Sequence, residues 1–127
     1  MKLTCIIIDD EPLARQVLAI FANQTDGIEV LGTYDNAGQL LQNIMEYDKN
    51  LDVLFLDLQM RQQTGLEVLE KIKVPNFKVI VTSAYPESIA EALNLPYFDW
   101  LQKPIRYEVF VKALQKVWDI KQIENLD

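Results

Sequence analysis

Three short and nearly continuous apolar runs constrain the fold of this chain more than any other feature. They cover Leu3–Ile8 and residues 53–56 and 77–81. Runs of this length and composition are typical of strands that are buried on both faces of a parallel sheet. Two more mixed runs, Ile28–Tyr34 and residues 97–101, carry polar residues or glycine. We therefore expect three central strands and two edge strands.

Amphipathic helical patterns separate these strands. In the first pattern, Leu13, Val17, Ile20 and Phe21 recur at the spacing of one buried helix face. The other four stripes are Ala37, Leu40, Leu41 and Ile44; Leu66, Leu69 and Ile72; Ile89, Ala90 and Leu93; and Phe110, Ala113, Leu114 and Val117. Strict alternation of strands and helices predicts an α/β domain whose parallel sheet is covered by helices on both faces, with right-handed crossovers.

Length and composition favour one domain with its own core. The chain has 127 residues, half of them apolar, which suffices for a core without metals or disulfides. We expect residues 1–120 to form this domain. Residues 121–127 are expected to be the end of the last helix or the start of a linker to an output domain.

Charge and residue usage exclude several functions. The net charge of −7 should repel nucleic-acid phosphates, so we expect no direct nucleic-acid binding by this domain. The lone Cys5 suits a cytoplasmic location and is expected to be a core residue, and no apolar run reaches membrane-spanning length. The absence of histidine excludes a histidine base, metal ligand or phosphoacceptor.

Chemically active side chains follow several of the predicted strands. In open α/β sheets, ligands bind beyond the carboxyl ends of the strands. The residues found there are Asp9, Asp10 and Glu11; Asp57; Thr82 and Ser83; and Lys103 and Pro104. Each has an ordinary interpretation by itself, as a helix cap, a turn residue or a solvated charge. Their convergence at one edge of one sheet favours a site.

This set of residues suits the phosphorylation of a carboxylate. Three close carboxylates repel one another unless a cation lies among them, and hard oxygen ligands indicate Mg²⁺. The carboxylate of Asp57 can act as the nucleophile towards phosphorus. Lys103 and the Ser83 hydroxyl can hold the other phosphoryl oxygens.

Five segments resemble the signature segments of response-regulator receiver domains. They are IIIDDEP, LFLDLQM, Gly65 eight residues after Asp57, VTSAY and DWLQKPI. The chain is most similar to receivers of the LytTR class, which normally carry a separate DNA-binding domain after the receiver. The resemblance implies a flavodoxin-like, doubly wound sheet with strand order 2-1-3-4-5. It also implies a histidine kinase as partner, control of transcription, and a homodimer that forms on phosphorylation.

The resemblance also implies a role for each matching residue. Asp57 is expected to be the phosphoacceptor in a protein that is not an enzyme beyond its own phosphorylation and autodephosphorylation. The expected Mg²⁺ ligands are Asp10, Asp57 and the backbone carbonyl of Gln59, with Asp9 acting mainly through water. Ser83 is expected to be the switch hydroxyl, Lys103 the phosphate contact, and the Lys103-Pro104 bond cis. Gln59 and Tyr85 are expected to border the hydrolytic water and tune dephosphorylation.

Three departures from the family pattern concern the output of the signal. Arg61 replaces a common proline, Pro96-Tyr97 replaces a usual Gly-Ala pair, and Trp100 stands where receivers have Tyr or Phe. That aromatic residue normally changes rotamer when the switch hydroxyl moves. Because an indole needs more room, we expect the inward position of Trp100 to be difficult to reach, which would bias the domain towards its inactive form.

Three other functions compete with that of a phosphoacceptor. Loss of site residues would mark a phospho-independent binding module of the same fold; all of them are present, but this alternative stays open because a bulky Trp100 could be held in one rotamer. A phosphohydrolase of the haloacid dehalogenase type needs an acid two residues after its nucleophile, where this chain has Gln59. A nucleotide- or flavin-binding protein needs a phosphate loop after the first strand, where the acidic residues would repel phosphate.

Overall fold

A parallel sheet lies at the centre of the computed structural model, which describes residues 1–38, 40–42, 50–60, 65–71 and 76–126. Within these residues, five strands run in the order β2-β1-β3-β4-β5. The strands are β1 (Leu3–Ile8), β2 (Ile28–Tyr34), β3 (Val53–Asp57), β4 (Lys78–Ser83) and β5 (Asp99–Gln102). The flavodoxin-like order and the placement of the two mixed runs at the edges are therefore confirmed.

Helices cover both faces of the sheet. They are the N-terminal helix (Pro12–Asn23), the Gly65 helix (Gly65–Lys71), the Ser88 helix (Ser88–Leu93) and the C-terminal helix (Tyr107–Glu124). Residues 37, 38 and 40–42 are also helical. The N-terminal helix begins at Pro12, whose missing N–H costs nothing in a first turn. The Ser88 helix ends where Asn94 adopts a left-handed conformation.

Two apolar layers hold the helices to the sheet. The first layer contains Ile7, Phe55, Ile80 and Leu101 of the strands and is covered by the N-terminal and C-terminal helices. The predicted stripe of the C-terminal helix is buried as expected: Phe110, Ala113, Leu114 and Val117. The second layer contains Ile8, Leu56, Val81 and Trp100 and is covered by Ala37, Leu40, Val68 and Ala90. Strand side chains alternate between these layers.

The predicted buried stripe of the N-terminal helix is wrong in part. Leu13 and Ile20 are exposed, at 65% and 52%, whereas Leu18 and Ala22 are buried. Leu18 and Ala22 are four residues apart and therefore lie on one helix face. The helix thus turns this neighbouring face towards the sheet and leaves Leu13 and Ile20 in solvent.

Cys5 is fully buried in β1, as expected of a core residue, and burial raises the pKa of its thiol to about 12.

Several other residues singled out in the sequence lie outside the described part of the structure. They are Ile44, Arg61 and Ile72, and the side chains of Leu66 and Leu69.

The C-terminal helix continues to Glu124, so residues 121–124 prolong that helix. The division of the chain at residue 120 stays a prediction. Among the described helices, none combines the length and apolar character that a membrane-spanning segment needs.

Candidate phosphoacceptor site

Lys103 connects two buried carboxylates at the carboxyl edge of the sheet. Asp9 follows β1 directly, Asp57 is the last residue of β3, and Lys103 follows β5. The Nζ atom of Lys103 lies 2.8 Å from Oδ2 of Asp9 and 3.4 Å from Oδ1 of Asp57. Three strands that are distant in sequence thus bring together the acidic and basic groups predicted to meet there.

The acidic cluster contains the three predicted aspartates. Asp9, Asp10 and Asp57 each offer a carboxylate oxygen, and these oxygens lie within 4.8 Å of one another. Asp9 and Asp57 are almost completely buried. Several close carboxylate oxygens with no nitrogen or sulfur donor form the ligand chemistry that Mg²⁺ prefers.

Hydrogen bonds from the chain fix the orientation of Asp9. Its Oδ1 accepts a hydrogen bond from the backbone N–H of Glu11 at 2.9 Å, and its Oδ2 accepts one from Lys103. The guanidinium of Arg15 donates to the backbone carbonyl of Asp9 at 2.7 Å. Arg15 was not predicted as a site residue. Arg15 lies one helical turn after Glu11, and this spacing is the sequence feature that could have suggested its place beside the site.

The surroundings of Asp57 make its ionised form costly. Burial, and then the charge of Asp9, raise the pKa of Asp57 to about 6. Lys103 and the backbone N–H of Gln59, which donates to Oδ1 of Asp57 at 3.2 Å, oppose this rise. Additional positive charge near Asp57 would therefore stabilise the carboxylate that a nucleophilic reaction requires.

Asp9 and Asp57 keep Lys103 protonated. Burial lowers the pKa of Lys103, but the hydrogen bond to Asp9 and the charges of Asp57 and Asp9 outweigh this effect. The pKa is therefore raised above its ordinary value. Lys103 thus remains a cation that is positioned beside Asp57.

Gly65 allows the backbone to pass close to Asp57. A Cβ atom at residue 65 would lie 2.4 Å from the carbonyl oxygen of Asp57 and 2.6 Å from Cα of Leu58. The amide of Gly65 donates to the carbonyl of Leu58 at 2.9 Å. Any side chain at this position would displace the backbone that carries Asp57, which explains the glycine eight residues after it.

Ser83 ends β4 and is fully buried. Its Oγ accepts a hydrogen bond from the backbone N–H of Tyr85 at 3.0 Å, and its carbonyl accepts one from the backbone N–H of Lys103 at 2.7 Å. Adjacent backbone therefore holds the Ser83 hydroxyl, and β4 is joined by the carbonyl of Ser83 to the backbone of Lys103. The Lys103-Pro104 bond is cis, as expected.

Trp100 is turned inward, into the second apolar layer. Its side chain is 6% exposed, and its Nε1–H donates to the carbonyl of Tyr85 at 2.9 Å. The structure thus accommodates an indole in the inward position, and the expected bias of the domain towards its inactive form stays a prediction. The indole fits because its N–H has an acceptor and because Tyr97 packs edge-on against it, with ring centroids 5.7 Å apart.

The side chains of Gln59 and Tyr85 are both exposed, that of Tyr85 by 47%. Thr82 lies directly before Ser83 in β4 and is fully buried, and its hydroxyl has no hydrogen-bond partner within the described structure. An open groove of about 510 Å³ borders the site. It is lined by Asp9, Leu13, Val17, Lys103 and Pro104 among other residues.

Comparisons with known proteins agree with this geometry. The family model described as response regulator receiver domain matches residues 5–115. The chain is 35% identical over 113 residues to the transcriptional regulatory protein BtsR of Salmonella typhi, covering 88% of this chain and 46% of that protein. It is 32% identical over 114 residues to the sensory transduction protein LytR of Staphylococcus saprophyticus, covering 88% and 44%. The similarity to LytTR-class proteins is thereby confirmed.

A solved structure shows the same fold. The receiver domain protein of Clostridium thermocellum superposes with a TM-score of 0.82 at 25% identity, covering 95% of this chain and 98% of that one. The chain spans about half the length of the curated relatives it matches. It belongs to the response regulator receiver domains of two-component signalling systems.

Proposed function

We propose that Asp57 accepts a phosphoryl group from the phosphohistidine of a histidine kinase, in a reaction that depends on Mg²⁺ and takes place in the cytoplasm. The observation that supports this most is the buried carboxylate of Asp57, which shares one site with Asp9, Asp10 and the cation of Lys103. A carboxylate at a strand end, flanked by metal ligands and a fixed amine, is equipped for nucleophilic attack on phosphorus.

The donor set fits Mg²⁺. Asp10, Asp57 and the backbone carbonyl of Gln59 would hold the ion directly, and Asp9 would act through water. Both carboxylate oxygens of Asp9 accept hydrogen bonds within the chain, which fits a role of Asp9 through water. When bound, Mg²⁺ would supply positive charge that offsets the repulsion among the carboxylates and the incoming phosphoryl oxygens.

The residues of the chain account for the transfer itself. An oxygen of Asp57 forms a bond to phosphorus while the phosphorus–nitrogen bond of the donor breaks, and the bonding electrons leave with the imidazole nitrogen. Lys103, already 3.4 Å from Asp57, would move part of its interaction from Asp9 to a phosphoryl oxygen. The Ser83 hydroxyl would donate its proton to another oxygen while its own oxygen keeps the N–H of Tyr85.

The groove beside the site supports a protein as phosphodonor. It lies between the N-terminal helix and the residues after β5, and Lys103 lines it. Leu13, on the same groove, is exposed. A helix of a histidine kinase that brings its phosphohistidine to Asp57 would cover this apolar surface.

Incubation with acetyl phosphate and Mg²⁺ followed by mass spectrometry tests this proposal. The wild type should gain one phosphoryl group, and Asp57→Asn should gain none. Asp119→Asn, a matched change on the exposed side of the C-terminal helix, should behave like the wild type. If the wild type gains no phosphoryl group, the phospho-independent binding module of the same fold becomes the better interpretation.

We place the output surface on the face formed by the Ser88 helix, β5 and the C-terminal helix. This face carries the exposed Leu93 and an ion pair of 3.2 Å between Lys116 and Asp99. Phosphorylation is proposed to draw Ser83 towards Asp57 and to change this face, with Trp100 as its gate. A homodimer through this face would then control transcription through a separate DNA-binding domain, as the similarity to a transcriptional regulator suggests.

Analytical ultracentrifugation with the phosphate mimic beryllofluoride tests the dimer. The wild type should dimerise more strongly with beryllofluoride and Mg²⁺ than without them. Leu93→Asp should weaken the dimer because it places a charge in the proposed interface. Equal dimerisation with and without the mimic would contradict the output proposal and leave the phosphoacceptor proposal intact.

A further inference from the structure

The backbone carbonyl of Asp9 is bound by a charged side chain of the helix that follows it. The Nη1 atom of Arg15 lies 2.7 Å from this carbonyl oxygen. Arg15 is the fourth residue of the N-terminal helix, and long side chains of a helix lean towards its N-terminus. The guanidinium therefore reaches back over the first turn and connects the helix to the residue that ends β1.

The position of Arg15 in the first helical turn is electrostatically unfavourable. The N-terminus of a helix carries a partial positive charge, which repels a cation placed there. The bond from the guanidinium to the carbonyl of Asp9 is charge-assisted, and such bonds are stronger than those between neutral groups. The contact with Asp9, rather than the stability of the helix, therefore accounts for an arginine at this position.

Each polar group of Asp9 is bound by a different segment of the chain. Its N–H donates to the carbonyl of Tyr34 at 3.1 Å. Its carboxylate accepts from the backbone N–H of Glu11 at 2.9 Å and from the amine of Lys103 at 2.8 Å. The remaining group is the carbonyl, which Arg15 binds. Arg15 thus completes the fixation of Asp9, and it acts on the peptide unit that leads to the next residue.

We propose that Arg15 is a positioning residue of the metal site, which fixes the peptide unit between Asp9 and Asp10 and thereby holds the carboxylate of Asp10 beside that of Asp57. The inference rests on the proposed binding of Mg²⁺ by these residues. Their carboxylate oxygens lie within 4.8 Å of one another, an arrangement that charge repulsion opposes. A fixed backbone keeps the oxygens together before the ion arrives, so less mobility is lost on binding.

A simple counter-charge is the rival role for a cation beside carboxylates, and the two roles predict opposite changes in Mg²⁺ affinity. A counter-charge repels Mg²⁺, so its removal would strengthen Mg²⁺ binding, and salt would screen this effect. A positioning residue supports Mg²⁺ binding, so its removal would weaken that binding even in high salt. The sign of the change in affinity therefore separates the two roles.

Three variants of the whole chain provide the comparison. Arg15→Met removes the charge and the donor but keeps an unbranched stem on the helix. Arg15→Lys keeps a charge and a donor but lacks the planar guanidinium, so it separates charge from geometry. Lys112→Met is the matched control, because it makes the same change of charge at an exposed position of the C-terminal helix.

NMR titration with Mg²⁺ measures the affinity of each protein. In about 0.5 M NaCl, charges separated by more than about 4 Å are largely screened. Under this condition Arg15→Met should bind Mg²⁺ about threefold to tenfold more weakly than the wild type, the effect of one lost hydrogen bond. Arg15→Lys should recover part of the loss, and Lys112→Met should bind Mg²⁺ like the wild type.

Amide hydrogen exchange in the metal-free protein gives a second measurement that does not depend on Mg²⁺. The N–H of Glu11 binds Oδ1 of Asp9, so its exchange rate reports how firmly Asp9 is held. This exchange should be faster in Arg15→Met than in the wild type. The exchange of amides in the C-terminal helix should be unchanged, which would exclude a general loss of stability.

The outcomes distinguish this inference from the function it rests on. The positioning role is refuted if Arg15→Met binds Mg²⁺ in high salt as tightly as the wild type or more tightly, or if the exchange of Glu11 is unchanged. It is also refuted if Lys112→Met weakens Mg²⁺ binding as much as Arg15→Met does. If the wild type binds no Mg²⁺, the proposed Mg²⁺ dependence fails and the positioning role fails with it.

Discussion

Removal of the Asp57 charge should stabilise the metal-free domain near neutral pH. In the folded domain, burial and then the charge of Asp9 raise the pKa of Asp57 from an ordinary 3.8 to about 6. The folded state therefore binds the proton of Asp57 more tightly than the unfolded chain does. The ionised carboxylate destabilises the folded state when no metal is bound.

The sign and size of the effect follow from the two pKa values. Below about pH 4, Asp57 is protonated in both states and costs the fold nothing. As the pH rises towards 6, the unfolded chain loses this proton while the folded domain still binds it, so the free energy of unfolding falls. Above the folded-state pKa both states are ionised, and the full loss of stability remains. A difference of about 2 between the pKa values corresponds to about 3 kcal/mol.

Urea unfolding of the wild type and Asp57→Asn in a chelator, at about pH 4 and about pH 7.5, measures this effect. The amide is uncharged like the protonated acid, so the two proteins should be similarly stable at the lower pH. At the higher pH the variant should be more stable by about 1 to 3 kcal/mol. Saturating Mg²⁺ should stabilise the wild type more than the variant.

Asp119→Asn provides the control, because Asp119 is exposed on the C-terminal helix. Its stability should follow that of the wild type at both pH values. If metal-free Asp57→Asn is no more stable than the wild type at the higher pH, the ionised Asp57 does not destabilise the folded state, and this prediction is refuted.

Four further outcomes are expected. Asp10→Asn should weaken Mg²⁺ binding in titrations more than Asp9→Asn does, and equal affinities for wild type and Asp10→Asn would exclude Asp10 as a direct ligand. Tyr85→Ala should shorten the half-life of the acyl phosphate, measured by loss of the phosphoryl adduct, because the ring would shield it from water; an unchanged half-life would contradict shielding. Gly65→Ala should lower the free energy of unfolding by about 1 to 3 kcal/mol and slow phosphorylation, because its Cβ would collide with the backbone of Asp57. Thr82→Val should raise the free energy of unfolding by about 1 kcal/mol, since it removes a buried hydroxyl that lacks a partner in the described structure; a loss of stability would show that the hydroxyl is paired.

The strand order and the place of the site could be predicted because both depend on strong local signals. Apolar runs mark strands wherever they pack, and the carboxyl ends of parallel strands necessarily share one edge. The face of the N-terminal helix could not be predicted in the same way. Apolar residues occupy two neighbouring faces of this helix, and the sheet selects the one with Leu18 and Ala22. The spacing of apolar residues alone does not show which of the two faces packs against the sheet.

The surroundings of Trp100 depended on contacts between distant segments. The size of the indole suggested that its inward position would be difficult to reach, but size alone does not describe the surroundings of this side chain. The carbonyl of Tyr85 and the ring of Tyr97 are supplied by other parts of the chain, and they turn a large side chain into a well-packed one. Hydrogen-bond acceptors of this kind cannot be read from a local pattern.

The alternation of β4 explains how a reaction on one face of the sheet can reach the other. Thr82 pairs with Asp57 in register, on the face covered by the N-terminal and C-terminal helices. Ser83, the next residue, follows Val81 onto the face where Trp100 packs. If Ser83 contacts a phosphoryl group on Asp57 as proposed, a movement of its backbone would act on Tyr85, whose N–H donates to the Ser83 hydroxyl and whose carbonyl accepts from Trp100. Under that proposal, Thr82 and Ser83, adjacent in one strand, would separate the face of the sheet that carries the reaction from the face that carries the output.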